Sequence, residues 1–184
     1  MNINSFKNKF LHKIQFDHEL AKFTWFRVGG KAEILFIAED LMSLSDFLNN
    51  KPKELNLLII GAGSNLLIRD KGFKGIVVLT KKLNNINIDE NQIITAEAGA
   101  KDADVARFAR NNIRGGLEFL LGIPGTIGGG IRMNSGAFGS EFKNVLIDVK
   151  AISHSGKFKT FTNKELGMNY RSIEISEEWI FCSA

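Results

Sequence analysis

Two glycine-rich segments carry the residue types best suited to holding a phosphorylated ligand. The first has the sequence Gly61-Ala62-Gly63-Ser64-Asn65-Leu66 and directly follows an apolar run at residues 57–60. The second has the sequence Gly122-Ile123-Pro124-Gly125-Thr126-Ile127-Gly128-Gly129-Gly130. Small residues leave consecutive backbone N–H groups uncovered, and such groups can bind a diphosphate. Ser64, Asn65 and Thr126 add side-chain donors. These segments therefore indicate a site for a flat nucleotide cofactor.

Each segment also has a simpler interpretation. The first differs from the GxGxxG sequence of dinucleotide-binding βαβ units, because Leu66 replaces the third glycine. Gly72 and Gly75 interrupt the stretch where the helix of such a unit would run. A Rossmann unit is therefore not predicted, and a tight turn remains the alternative to phosphate binding. The alternative for the second segment is a linker, which the surrounding apolar residues disfavour.

Composition and charge exclude several other classes of protein. The single cysteine, Cys182, excludes an internal disulfide and suits the cytoplasm, and the histidines lack metal-ligand spacing. The net charge of +4 is spread along the chain, without the clustered basic and aromatic residues of a nucleic-acid module. The apolar runs are far shorter than the roughly 20 residues that cross a bilayer. We expect a cytoplasmic protein with no metal, no nucleic acid and no membrane span.

The elements that position the two segments follow from periodicity and capping residues. Strands are expected at residues 32–37, 57–60, 76–79, 93–98, 145–152, 157–161 and 179–182. Asp40 is placed to cap a helix that ends before Pro52. Its buried residues would be Leu41, Leu44, Phe47 and Leu48. The basic segment 1–16 could be a targeting helix, but it lacks an uninterrupted apolar run, so an ordinary amphipathic helix is predicted.

The second half of the chain is expected to contain one helix and a long glycine-rich loop. The helix would begin at Asp102 or Asp104 and end at Gly115-Gly116. Its inward residues would be Val105, Ala106, Phe108, Ala109 and Ile113. Residues 81–92 have the composition of a loop or domain join, and residues 122–139 are expected to form the glycine-rich loop. A domain boundary is therefore predicted near residue 82.

Five motifs in order resemble the UDP-N-acetylenolpyruvoylglucosamine reductase family. They are Thr24 with Phe26-Arg27-Val28-Gly29-Gly30, then Gly61-Ala62-Gly63-Ser64-Asn65-Leu66-Leu67, then Gly122-Ile123-Pro124-Gly125-Thr126-Ile127-Gly128-Gly129, then Met133-Asn134-Ser135-Gly136-Ala137-Phe138-Gly139, and finally Tyr170-Arg171-Ser172. The resemblance implies an α+β fold, the FAD-binding domain of the vanillyl-alcohol-oxidase (PCMH) type, with FAD between two α+β subdomains. Residues 1–82 would form the first subdomain and residues 83–184 the second. It also implies a C-terminal substrate domain, containing a proton-donating serine and a glutamate, that this chain does not include.

The activity implied by the resemblance is a flavin-dependent reduction in peptidoglycan precursor synthesis. NADPH would reduce FAD, and UDP-N-acetylenolpyruvoylglucosamine would be reduced to UDP-N-acetylmuramate by a cytoplasmic monomer. Arg171 would be catalytic, because a fixed guanidinium stabilises negative charge developing on the substrate carboxylate. Tyr170 would lie on the substrate side, with packing beside Arg171 as its alternative role. The cofactor-binding residues would be Arg27, Gly61, Ala62, Gly63, Ser64, Asn65, Leu66, Gly122, Ile123, Pro124, Gly125, Thr126, Gly128, Gly129, Asn134 and Gly136.

Two alternatives to this activity remain open at the level of sequence. The chain could be a non-catalytic flavin-binding remnant, or it could belong to another flavoprotein oxidoreductase of the same fold. Covalent attachment of the flavin is disfavoured, because neither glycine-rich segment contains a histidine. All of the flavin hypotheses require that Gly63 and Gly125 lie on a common cleft.

Overall fold

The computed structural model describes residues 3–184. The first half contains a four-stranded sheet with the order β1-β2-β4-β3. Its strands are β1 (Ile14–Glu19), β2 (Lys31–Ile37), β3 (Leu57–Ile60) and β4 (Phe73–Leu79). β1 is antiparallel to β2, whereas β2 and β3 both run parallel to β4. The carboxyl ends of β2, β3 and β4 therefore lie at the same edge of the sheet. The first glycine-rich segment begins at this edge, directly after β3.

Two helices, α1 (Ile3–Phe10) and α2 (Leu41–Asn50), cover one face of this sheet. Phe6 and Phe10 of α1 each pack on Phe47 of α2 with ring centroids 5.1 Å apart. Phe36 of β2 stacks on the same ring at 3.9 Å. The amphipathic helix predicted in the N-terminal segment therefore contributes to the core. Met1 and Asn2, which also belong to that segment, lie outside the described residues.

The N-cap predicted for α2 is confirmed. The Asp40 carboxylate accepts a hydrogen bond from the Ser43 backbone N–H at 2.7 Å. The helix then buries Leu44, Phe47 and Leu48 and ends at Asn50, close to the predicted boundary. A single aspartate thus determines where the chain changes from strand β2 to helix.

Replacing Asp40 with alanine should lower the free energy of unfolding by about 1 kcal/mol, because the Ser43 N–H loses its acceptor. Urea unfolding of the purified chain measures the change. Asp70→Ala is the matched control, since this exposed carboxylate makes no hydrogen bond among residues 3–184. It should change the free energy by less than about 0.5 kcal/mol. Equal losses in both variants would contradict the role of the cap.

The second half contains smaller antiparallel sheets. Strand β9 (Asp148–Ser153) lies between β10 (Phe158–Thr162) and β11 (Trp179–Ser183). Strands β5 (Ile86–Ile88) and β6 (Ile94–Ala96) form a hairpin, and Ala96 exchanges backbone hydrogen bonds with Ala184 after β11. Short strands β7 (Gly136–Ala137) and β8 (Ser140–Glu141) pair with each other. The α-helices of this half are α3 (Asp102–Asn111), α4 (Ile127–Arg132) and α5 (Phe142–Val145), and 3-10 helices lie at Glu118–Gly122 and Lys164–Leu166.

The two halves share buried side chains. Ile34 on one face of the first sheet belongs to the same cluster as Ile152 and Ile180 of the second half. Leu35, which points to the opposite face, packs with Val77 in a separate cluster. Successive residues of β2 point to opposite faces of the sheet and are buried on both, as expected of a strand inside a partly parallel sheet. The first sheet ends before residue 82, but the division of the chain into subdomains there stays a prediction.

Several boundaries predicted from the sequence are wrong in the second half. Ile113 does not point inward but is 91% exposed, because α3 ends at Asn111, before Gly115-Gly116. The expected loop at residues 81–92 contains strand β5, and the strand expected at residues 93–98 is limited to Ile94–Ala96. Val145 ends helix α5 and does not begin a strand.

The predicted glycine-rich loop at residues 122–139 also contains regular structure. Residues Ile127–Arg132 form helix α4 although glycine has a poor helix propensity. Ile127 and Ile131, four positions apart, are both buried, so packing outweighs the propensity of the glycines between them. Residues 122–126 therefore lead directly into a helix, which fixes the position of their C-terminal end.

Candidate functional site

The two glycine-rich segments face each other across one cleft of about 660 Å³. Gly63 of the first segment and Gly125 of the second both line it, so the geometry required by the flavin hypotheses is present. Predicted site residues in its lining are Gly61, Ala62, Gly63, Ser64, Asn65, Leu66, Gly122, Ile123, Pro124, Gly125, Thr126, Gly129, Gly136 and Arg171. The volume lies within the roughly 300–1,000 Å³ typical of small-molecule and cofactor sites.

The first segment turns tightly as it leaves β3. Gly63 has a φ of +64°, and a Cβ at this position would lie 2.0 Å from the Phe23 carbonyl oxygen. The Trp25 N–H donates to the Gly63 carbonyl oxygen at 3.1 Å, which attaches the turn to the preceding segment. Glycine is required here for both its conformation and its close backbone contact.

Backbone donors of the first segment remain available for a ligand. Among residues 3–184, no protein acceptor binds the N–H groups of residues 62–66. The side chains of Ser64 and Asn65 also make no hydrogen bond to the described residues. Consecutive free N–H groups of this kind form an anion-binding surface.

The two segments touch at Gly61 and Thr126. A Cβ on Gly61 would lie 2.1 Å from the Thr126 hydroxyl oxygen, so glycine permits this close approach. Thr126 is itself buried and pairs with Lys101 in an isolated β-bridge. The residues that lead into α3 therefore hold the second segment in position through this pairing.

Hydrogen bonds to neighbouring backbone fix the first two residues of α4, whereas the third, Gly129, faces the cleft. The Ile127 N–H donates to the Ala100 carbonyl and the Gly128 N–H to the Ala98 carbonyl, at 3.0 and 2.9 Å. Gly129 lines the cleft, and a Cβ there would meet only the Thr126 hydroxyl oxygen, at 3.8 Å. Its hydrogen atom consequently faces space that a bound ligand could fill.

Arg171 reaches the cleft from a separate turn. The turn is closed by reciprocal backbone hydrogen bonds between Asn169 and Ser172, and Arg171 adopts a φ of +53° at its tip. Within the described part of the chain, its guanidinium has no carboxylate partner and lies 5.5 Å from the centroid of the Tyr170 ring. The cation is therefore available to an anionic ligand.

Four predicted site residues do not line the cleft. Arg27 is exposed on the segment after Thr24, and Tyr170 is 84% exposed, with its ring beside the Arg171 guanidinium. Gly128 faces a neighbouring cavity, and a Cβ there would lie 2.9 Å from the Ala98 side chain. Asn134 is buried and turned away from the cleft.

Asn134 instead supports the turn that carries Arg171. Its side-chain amide donates to the Asn169 carbonyl at 3.1 Å, and its side-chain oxygen accepts from the Lys143 N–H at 3.0 Å. Both polar atoms of the side chain are thereby occupied by the protein. The sequence identified Asn134 as a candidate, but the direction of its side chain depends on long-range contacts that the sequence does not show.

Arg132 is a further cleft residue that the sequence interpretation did not single out. Its guanidinium donates to the carbonyl oxygens of Ile175 and Trp179 and lies 4.4 Å from the centroid of the Phe181 ring. Burial lowers the pKa of this guanidinium, which nonetheless remains a cation. A lone arginine within a glycine-rich, apolar stretch was the only available signal. Other lining residues outside the predicted set are Ile59, Ile60, Gly130, Met133 and Ser135.

A second cavity of about 360 Å³ adjoins the cleft. The two share Ile59, Gly61, Thr126, Gly129 and Arg132, and the second extends toward Thr80 and His154. The cleft lining contains two arginines and, among residues 3–184, no carboxylate. Free backbone N–H groups, the unpaired Arg171 guanidinium and the adjoining space together fit the diphosphate and the two ring systems of FAD, whereas Arg132 is held by the Ile175 and Trp179 carbonyls and lies near Glu177 of the adjoining cavity.

Other kinds of site receive no support from the described residues. Across residues 3–184, no cluster of three or more His, Cys, Asp or Glu side chains could hold a metal ion. In the same range, no helix combines the length and apolar character needed to span a membrane.

Comparison with known proteins agrees with this geometry. The FAD binding domain family matches residues 34–162. The UDP-N-acetylenolpyruvoylglucosamine reductase of Rickettsia massiliae (strain Mtu5) is 43% identical over 169 residues, covering 91% of this chain and 57% of the relative. The crystal structure of the corresponding reductase from Thermus caldophilus superimposes with a TM-score of 0.77 at 28% identity, covering 93% of this chain and 59% of that one. A VAO-type flavoprotein of Myceliophthora thermophila shares the fold alone, with a TM-score of 0.65 at 12% identity over 84% of this chain and 31% of that one.

The fold and cleft define an FAD-binding domain of the vanillyl-alcohol-oxidase type, which confirms the predicted fold class. The chain belongs to the FAD binding domain family, and its homologues are UDP-N-acetylenolpyruvoylglucosamine reductases. It spans somewhat more than half the length of these relatives, 57% in the case of the Rickettsia protein.

Proposed function

We propose that this chain is the flavin-binding part of a cytoplasmic, NADPH-using enzyme that reduces UDP-N-acetylenolpyruvoylglucosamine to UDP-N-acetylmuramate. The observation that carries the proposal is the convergence of two glycine-rich segments and two arginines on one cleft without a carboxylate in its lining. The names of its homologues indicate the substrate. The proposed oligomeric state is a monomer.

The proposed role of the first segment is to bind the FAD diphosphate through the N–H groups of residues 62–66. Ser64 and Asn65 would supplement these donors with their side chains. Thr126, which contacts Gly61, would fix the distance between this segment and the start of α4. Since the backbone of this turn is held in place before binding, little backbone conformational entropy would be lost when the cofactor binds.

Arg171 is proposed to bind the carboxylate of the enolpyruvyl ether. The bound flavin supplies the hydride for reduction of the double bond. Negative charge then develops on the conjugated carboxylate, and a guanidinium held on a rigid turn would stabilise that charge. Asn134 would act on this step only indirectly, through its hydrogen bond to the Asn169 carbonyl. We assign the proton that completes the reduction to none of the serines of this chain.

An assay of the purified chain tests the proposal in two stages. The chain incubated with FAD should retain the flavin through gel filtration and show its absorbance band. NADPH oxidation is then followed with and without UDP-N-acetylenolpyruvoylglucosamine, and the product is identified by mass spectrometry. Substrate-dependent oxidation with formation of UDP-N-acetylmuramate would establish a reductase active in this chain.

The second candidate function is a flavin-binding module without turnover of its own. It is favoured by the lining of the cleft, in which most of the residues are assigned to cofactor binding and Arg171 alone is assigned to the chemical step. Retention of FAD without substrate-dependent NADPH oxidation would support this candidate. A chain that stays colourless after incubation with FAD would contradict both candidates.

A further inference from the structure

Asp102, the first residue of α3, is buried directly behind the second glycine-rich segment. It is 0% exposed, and neither of its carboxyl oxygens has a hydrogen-bond partner among residues 3–184. Its backbone N–H donates to the Gly125 carbonyl oxygen at 3.2 Å. Unpartnered carboxyl groups are rare in protein interiors, because burial strongly disfavours the ionised form.

The Asp102 carboxyl group and the Phe142 ring leave no room for a side chain at two glycines of the second glycine-rich segment. A Cβ on Gly125 would lie 2.7 Å from one carboxyl oxygen of Asp102. A Cβ on Gly130 would lie 2.4 Å from the Phe142 ring and 3.4 Å from the other carboxyl oxygen. The carboxyl group thus fills the space between the segment and α4, where a side chain on either glycine would otherwise lie.

Charged residues on the surrounding elements do not compensate the carboxyl group. On α3 the nearest candidates are Lys101, which is exposed, and Asp104, which pairs with Arg107 at 2.8 Å. The other charged groups of the packed elements are Arg132 on α4, Glu118 before the segment, Glu141 at the N-cap of α5 and Lys143 within α5. Each of these lacks a hydrogen bond or ion pair to Asp102 among the described residues. Burial raises the pKa of the Asp102 carboxyl to about 7.

We propose that Asp102 is a positioning residue that carries a proton while the second glycine-rich segment is in its binding conformation, so that FAD affinity falls as the proton is lost. The proposal rests on the proposed function in that the ligand is FAD. Ionisation would place an unpaired carboxylate in an apolar space, and the segment must move to hydrate it. It would also add a negative charge beside a cleft that binds an anionic cofactor, so both effects weaken binding.

The protonation of Asp102 also determines how the stability of the folded chain depends on pH. An unfolded aspartate has a pKa of about 3.9. Between that value and the folded value of about 7, the folded protein binds more protons than the unfolded chain. The stability contributed by the neutral carboxyl is therefore greatest at low pH and is lost as pH rises through this window.

The test compares the wild-type chain with Asp102→Asn, which is similar in shape but neutral at every pH. FAD dissociation constants are measured by fluorescence quenching from about pH 6 to about pH 8.5. We expect wild-type affinity to fall about tenfold more than that of the variant over this range. Asp104→Asn, on the exposed side of α3, is the matched control and should follow the wild type. Parallel pH profiles of the wild type and Asp102→Asn would overturn the proposal.

Two further measurements need no cofactor, and the second of them needs no variant. The urea unfolding equilibrium of the wild-type chain should shift toward unfolding by up to about tenfold per pH unit relative to Asp102→Asn between about pH 4 and about pH 7. In the ¹³C spectrum of the wild-type chain, one aspartate carboxyl should titrate near neutral pH, and its absence would refute the assignment even if Asp102→Asn fails to fold. Absence of FAD binding at every pH would instead contradict the proposed function, while the carboxyl titration still tests the protonation of Asp102.

Discussion

Gly129→Leu is expected to weaken FAD binding by roughly 10–100-fold while leaving the folded chain at least as stable. A side chain at Gly129 meets only the Thr126 hydroxyl oxygen at 3.8 Å in the protein itself, and the position lies on α4 with the cleft in front of it. Leucine also favours helix by up to about 1 kcal/mol over glycine. The loss of affinity would therefore come from the volume placed in the cleft, with no contribution from misfolding.

Urea unfolding and an FAD titration of the same sample measure the two effects of Gly129→Leu separately. Gly115→Leu is the matched control, because a Cβ at Gly115 meets only a Glu118 carboxyl oxygen, at 3.4 Å, and the residue lies outside the cleft. It should leave FAD affinity unchanged. Unaltered FAD affinity in Gly129→Leu would show that the cofactor does not approach α4.

Arg171→Lys is expected to lower turnover by roughly 10²–10³-fold, because a lysine cannot reproduce the forked contact of a guanidinium with a carboxylate. FAD affinity should change far less, since the proposed partner of Arg171 is the substrate. The assay uses this chain, or this chain joined to the part of the Rickettsia massiliae relative that it does not match if the chain alone does not turn over. Steady-state kinetics and the flavin content of each preparation give the two quantities.

Arg107→Lys serves as the control for Arg171→Lys. Arg107 is an exposed arginine on α3, outside the cleft, and its ion pair with Asp104 is available to lysine as well. Turnover and flavin content should both remain at wild-type levels in this control. Equal losses of turnover and flavin content in Arg171→Lys would assign Arg171 to cofactor binding and remove it from the chemical step.

Local patterns were sufficient to predict the elements that deliver the glycine-rich segments. Asp40 caps α2, and the apolar run at Leu57–Ile60 forms the strand that leads into the first segment. Both depend on residues close in sequence, for which capping and burial rules hold. The same rules failed where distant contacts decide the outcome. Ile127 and Ile131 pack into the core and make a helix of a stretch that glycine content alone identifies as a loop.

The residues of the candidate site were harder to assign than its backbone. A glycine can be placed at a close approach from its type alone, as at Gly61 and Gly63. The direction of a polar side chain depends on partners far away in sequence, and Asn134 bonds to Asn169, 35 residues further along. Asp102 was expected only to open a helix, because nothing in its neighbours along the chain reveals that its carboxyl group is buried beneath Gly125.

Hydrogen–deuterium exchange of the purified chain with and without FAD tests most directly whether two separate stretches of backbone hold one flavin nucleotide. FAD should slow exchange in peptides covering residues 62–66 and also in peptides covering residues 122–130, with little change in the β5–β6 hairpin, whose residues line neither the cleft nor the adjoining cavity. Protection restricted to one of the two segments, in a chain that demonstrably binds FAD, would contradict the account.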